Sequence, residues 1–173
     1  MRITAEMKTA ALLLLSLAAA LFAGCAGSSL PARDGLDRGW VARDTLNSPA
    51  YRPFKEGYDS AKVAQEFVPM IRSVREGVDV TIFFGSWCPD SRREVPRFLR
   101  IADESGFPAS SIRLYALDRT KKSADGLTEK FAIERIPTFI FRKGGKEIGR
   151  ITEFPVTTLE ADMLTILAKS VSP

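Results

Sequence analysis

The sequence predicts an α/β domain with a mixed central β-sheet flanked by helices, and three observations point there. Helical and strand-like patterns alternate through the C-terminal two-thirds of the chain. Two short apolar runs, at residues 78–84 and 112–117, have the composition of strands covered on both faces. A hairpin signature around Lys143-Gly144-Gly145-Lys146 then leads into an amphipathic helical stretch. The length agrees, since 173 residues with 45% hydrophobic and 27% charged side chains suit one domain of ordinary size plus a short appendage.

Taken in order, residues 59–76 carry Val63, Phe67, Met70, Ile71 and Val74 at helical spacing, with Pro69 as a kink and Gly77 as a stop. The strand at 78–84 follows, and Gly85-Ser86-Trp87-Cys88-Pro89-Asp90 turns out of it. A helix over 90–105 points Val95, Phe98, Leu99 and Ala102 inward, with Pro96 bending it. Residues 112–117 form the next buried strand and 123–132 a short helix. Hairpin strands at 138–142 and 147–151 and a helix over 158–169 complete a domain spanning 51–173.

Residues 1–24 read as a targeting segment outside that fold. Arg2 and Lys8 precede an apolar run over 10–23, which at about 14 residues is short for a bilayer span of roughly 20. The run ends in Leu21-Phe22-Ala23-Gly24-Cys25, which resembles the lipobox of bacterial lipoproteins, although Phe22 stands where leucine is usual. That resemblance implies lipidation of Cys25 with diacylglycerol, and Ala26 after it implies outer-membrane rather than inner-membrane retention. The expected location is a bacterial membrane, with the domain exported and facing the periplasm. The alternative is ordinary cleavage at an A-x-A-like site, leaving Cys25 a free thiol or a partner for Cys88. Residues 25–50, rich in Gly, Ser, Pro, Arg and Asp with no sustained apolar period, read as a flexible tether.

Composition excludes much chemistry. With no histidine, imidazole bases, Ser-His and Cys-His pairs, His-zinc sites and His-ligated haem are impossible. Two cysteines, Cys25 and Cys88, are too few for a disulfide scaffold or a Cys-only structural zinc site, so the expectation is no metal and no cofactor. The formal net charge of +4 falls to +3 when Arg2, Glu6 and Lys8 are removed, and no stretch carries five or six like charges. Nucleic acid is therefore not an expected partner.

Three signals together carry a resemblance to the thioredoxin superfamily, specifically its exported, membrane-tethered members, over residues 60–170. They are Phe83-Phe84-Gly85-Ser86-Trp87-Cys88 at a strand-to-helix junction, Pro96 five residues beyond the motif, and Arg135-Ile136-Pro137-Thr138-Phe139-Ile140-Phe141 before the hairpin. The resemblance implies a thioredoxin-like fold in which Pro137 is cis and faces Cys88. It also implies that Ile136 offers its N–H and C=O to an extended substrate strand, with Trp87, Pro89 and Thr138 completing the binding surface. Read without it, Pro137 merely starts an edge strand, as proline can.

The family's W-C-x-x-C motif reads here as Trp87-Cys88-Pro89-Asp90-Ser91. A cysteine just before the first turn of a helix lies near unpaired N–H groups and the positive end of the helix dipole, which favour its thiolate. Ser91 is placed to donate its hydroxyl to that sulfur, Arg92 and Arg93 add positive charge, and Asp90 opposes them. The position between Trp87 and a proline in a turn argues for exposure, against the alternative of an inert core cysteine. With Ser91 in the second position, a mixed disulfide has no internal thiol to release it. Ile82 stands where many thioredoxins carry a buried acid that serves that second thiol, which agrees.

The expected function is monothiol thiol–disulfide exchange or isomerisation through Cys88 and Ser91, resolved by an outside thiol. Partners are periplasmic protein thiols or disulfides, or a low-molecular-weight thiol. The alternative is a redox-inactive module binding extended peptides. Monothiol glutaredoxins share C-x-x-S but carry Gly-Phe where Pro89-Asp90 stands.

Overall fold

The structure is a computed structural model that describes residues 38–170. The expected targeting segment, the expected lipidation at Cys25 and residues 25–37 of the expected tether lie outside the described residues. Five strands and five α-helices are formed among the described residues: β1 (Gly39–Val41), α1 (Arg52–Ser60), α2 (Val68–Val74), β2 (Val78–Phe84), α3 (Pro89–Glu104), β3 (Ile112–Ala116), α4 (Leu127–Lys130), β4 (Thr138–Lys143), β5 (Lys146–Thr152) and α5 (Leu159–Ala168).

The sheet runs β1-β3-β2-β4-β5. β2 and β3 pair in parallel while the other three pairs are antiparallel, so the sheet is mixed, as the alternation of patterns predicts. Its centre is β2, whose Val78-Asp79-Val80-Thr81-Ile82-Phe83-Phe84 is buried at every position but Asp79. Period-2 alternation sends Val80, Ile82 and Phe84 to a large core against α3 and α5, and Phe83 to a smaller cluster on the opposite face. The hairpin between β4 and β5 turns on Gly144 and Gly145, both at positive φ, 56° and 80°. Glycine takes such angles without steric cost.

Three expectations are corrected. Residues before Tyr51 already belong to the fold: β1 pairs antiparallel with β3, Trp40 opposite Tyr115. Two 3-10 segments, Arg43–Asn47 and Pro49–Tyr51, then bury Leu46 and Tyr51. The apolar residues of this stretch are too sparse to show a period, yet Val41, Leu46 and Tyr51 all join the large core. The predicted helix over 59–76 is not continuous: it takes in the last two residues of α1, a non-helical stretch at 61–67 with Val63 and Phe67, and α2, and Pro53 and Pro69 each stand in a first turn. A first-turn residue needs no N–H for the helix, so Pro69 starts α2 instead of kinking a longer one. The short helix after β3 is also briefer than expected, a single turn entered through Gly126.

Candidate active site

Pairing of β2 with both β3 and β4 brings three chain segments to one end of the sheet. They are the 85–88 turn after β2, the loop after β3, and residues 135–137 before β4. Cys88 closes the turn by donating its N–H to the Gly85 carbonyl at 3.0 Å, and Arg92 N–H returns to the Cys88 carbonyl at 3.0 Å. Cys88 is thus the N-cap of α3, in extended conformation (φ −82°, ψ 124°), with Pro89 in the first turn. Its side chain makes no capping bond. Instead Sγ lies 3.5 Å from the Ile136 carbonyl, to which the thiol donates. The Ile136-Pro137 peptide bond is cis. The sequence separation of 48 residues is bridged by the register that sets Phe83 opposite Thr138.

Cys88 is 6% exposed, which corrects the expectation of an open thiol. Its neighbours explain the cover: it belongs to a cluster with Phe83, Tyr115, Leu117, Ile133, Ile136 and Ile140, and half-buried Trp87 packs against them. The Ser91 expectation is corrected too. Ser91 is fully buried and its Oγ accepts the Gly85 N–H at 3.2 Å, so it engages the backbone of the turn and not the Cys88 sulfur. A buried N–H without an acceptor is costly, and Ser91 supplies that acceptor to the first residue past β2. Gly85 itself tolerates no side chain: an added Cβ would stand 2.8 Å from Trp87 Nε1 and 2.9 Å from Ile136 Cδ1.

Trp87 is fixed at both ends. Its Nε1–H donates to the Leu117 carbonyl at 3.0 Å, and the Arg119 guanidinium lies 5.0 Å from its ring centroid. Thr138, read from sequence as part of the binding surface, turns its hydroxyl onto the Arg135 carbonyl at 2.6 Å and pins the loop before β4. The Pro137 carbonyl accepts the Glu153 N–H at 2.7 Å, and Arg135 pairs with Glu153 at 2.8 Å. Asp90 is engaged by Arg93 at 2.8 Å. Beneath the cluster, Tyr115 donates to Asp125 at 2.8 Å; burial, reinforced by that carboxylate, pushes its phenol up to about 12.

The structure therefore brings Trp87, Cys88, Pro89, Ser91, Ile136, Pro137 and Thr138 to one end of the sheet. Leu117 and Arg119 were not legible as members. They sit in a loop without a motif and join the site through the parallel β2–β3 pairing, where Leu117 N–H reaches the Phe84 carbonyl at 2.7 Å. Among the described residues no group of His, Cys, Asp or Glu is arranged to hold a metal.

A cysteine capping the helix after the central strand, against the carbonyl before a cis-proline, defines a thioredoxin-like thiol site. A family model described as Thioredoxin matches residues 47–165, and the chain belongs to that family. It is similar to Thioredoxin-like protein R548 of Acanthamoeba polyphaga mimivirus, 24% identical over 110 residues covering 64% of this chain and 77% of that one. Among solved structures, thioredoxin of Fasciola hepatica is 21% identical with a TM-score of 0.39, covering 62% of this chain and 93% of its own. A Pseudomonas aeruginosa protein of unknown function is 16% identical with a TM-score of 0.48, covering 69% of this chain and 81% of its own.

Proposed function

We propose that this protein performs monothiol thiol–disulfide exchange or isomerisation through Cys88, tethered to a bacterial membrane through lipidated Cys25 and facing the periplasm. The observation that carries this reading is Cys88 Sγ at 3.5 Å from the Ile136 carbonyl, at the head of a 16-residue helix. The Cys88 thiolate attacks one sulfur of a partner disulfide. A new S–S bond forms, the partner's S–S bond breaks, and the electron pair leaves on the second partner sulfur as a thiolate. Ser91 cannot attack the resulting mixed disulfide. An outside thiolate, from a low-molecular-weight thiol, another protein or the same substrate in isomerisation, attacks it and regenerates Cys88, so no net oxidant is consumed.

In the resting state the thiol donates to the carbonyl that the family resemblance assigns to an extended substrate. Deprotonation removes that donor and leaves the Ile136 oxygen open to a substrate N–H. Ser91 then serves to hold the turn through Gly85 rather than to move a proton. Mass spectrometry after incubation of the full chain with 2-hydroxyethyl disulfide tests the reading: an adduct on Cys88, absent in Cys88→Ala, is expected. Membrane fractionation tests the tether, and Cys25→Ser is expected to release the protein.

The burial of Cys88 favours a second reading, a redox-inactive module that binds extended peptides at Trp87 and Pro137. It predicts peptide binding that survives Cys88→Ala and no adduct on Cys88.

A further inference from the structure

Two guanidinium groups touch the turn that carries Cys88, and neither meets a carboxylate among the described residues. Arg92, exposed in the first turn of α3, folds back so that Nε donates to the Ser86 carbonyl at 2.6 Å. Arg119, exposed in the loop after β3, lies over the Trp87 ring at 5.0 Å. Ser86 and Trp87 are the two residues immediately before Cys88. Most other arginines at this end of the sheet are paired with carboxylates. Arg93 holds Asp90 and Glu94, Arg97 holds Glu94, Arg38 holds Asp118, and Arg135 holds Glu153 with Glu134 adding to its field. The Lys121 ammonium donates to the Glu134 backbone carbonyl at 3.3 Å.

From this uneven pairing we infer that the partner whose sulfur Cys88 attacks carries carboxylate groups beside that sulfur, held by Arg92 and Arg119. This rests on the exchange reading and names its substrate class. The apolar rim of Trp87 and Ile136 does not discriminate by charge. Guanidinium does: its planar fork matches a carboxylate with two parallel N–H donors, and it stacks on aromatic faces while its edge stays free. Arg119 lies over the Trp87 ring, and among the described residues Arg92 donates through Nε alone, leaving its terminal nitrogens for a ligand. As the partner's S–S bond breaks, negative charge passes from Cys88 to the leaving sulfur, and no co-reactant beyond the partner disulfide is required.

The test compares rates of mixed-disulfide formation on the full chain with oxidised glutathione, neutral 2-hydroxyethyl disulfide and cationic cystamine. Oxidised glutathione is expected to react on the order of tenfold faster than cystamine at low ionic strength, with the gap closing as salt is added. Arg92→Gln with Arg119→Gln is expected to erase the preference, slowing oxidised glutathione by more than the neutral reagent, and Arg92→Lys with Arg119→Lys to restore part of it. A protein rather than a small-molecule source of the acid gives the preference only with a disulfide-bearing peptide flanked by Asp or Glu. Cystamine keeping pace with both acidic disulfides overturns the inference while leaving exchange intact. No reaction with the neutral reagent overturns exchange itself.

Discussion

On one face of the sheet Ile82, Phe84, Phe139 and Phe141 meet Phe98, Val95, Leu159 and Met163, all fully buried, under the long α3 and α5. On the other face the smaller cluster of Phe83, Tyr115, Leu117, Ile133, Ile136 and Ile140 includes Cys88 and is packed by Trp87, Leu127 and Phe131, from turns and the single-turn α4. The first arrangement is rigid because helices several turns long interdigitate with the strands. The second leaves its one thiol behind a side chain, Trp87, that is held by a single hydrogen bond and a stacked cation. On the exchange reading proposed above, packing on the two sides serves different ends: the thick face supplies stability, and the thin face is where a partner reaches Cys88, 6% exposed.

The largest difference is expected from Phe98→Ala. Truncating this ring, stacked 4.9 Å from Phe139, is expected to lower the unfolding free energy by about 3–5 kcal/mol while leaving the alkylation rate of folded Cys88 unchanged. A changed alkylation rate would mean that the two faces are mechanically coupled. Gly85→Ala comes next. Forcing Trp87 and Ile136 apart is expected to cost about 1–3 kcal/mol and, unlike the first variant, to alter Cys88 alkylation. Denaturant unfolding and a thiol-reagent time course read both.

Smaller effects probe the ends. Thr158 Oγ1 accepts the Ala161 N–H at 3.2 Å as the N-cap of α5, so Thr158→Ala is expected to cost about 1 kcal/mol with no change at the thiol. Tyr115 gives a pH signature of the thin face. Its phenol is raised to about 12 when folded, against about 10 when unfolded, so its contribution to stability is complete below pH 10 and is lost as pH rises toward 12. Absorbance titration of the full chain against Tyr115→Phe checks this, and ionisation of Tyr115 near 10 would show that the cluster is open to water.

The thick face was largely legible in the sequence because its residues recur at strand and helix periods. β2 falls where the apolar run predicts it, and α3, β3, the hairpin and α5 lie within a residue or two of expectation. What escaped was aperiodic. β1 contributes three residues, Gly39–Val41, and earns its place through pairing with β3 rather than through its own pattern. Within the site, Cys88, Ile136 and Pro137 were legible from local motifs, but the direction of each side chain was not. Cys88 is covered because segments 30 to 48 residues away pack over its turn, while Ser91 faces Gly85 and the Thr138 hydroxyl faces Arg135 through local backbone contacts that residue type alone does not specify.

The lifetime of the Cys88 mixed disulfide tests the central claim most directly. The adduct with 2-hydroxyethanethiol is formed on Cys25→Ser protein, excess reagent is removed, and adduct mass is followed with and without added thiol. The adduct is predicted to persist until an external thiol is supplied, whereas the same protein carrying Ser91→Cys sheds it unaided and closes an internal bridge. Spontaneous loss from the Ser91 protein, with free Cys88 recovered and no thiol added, would contradict the account.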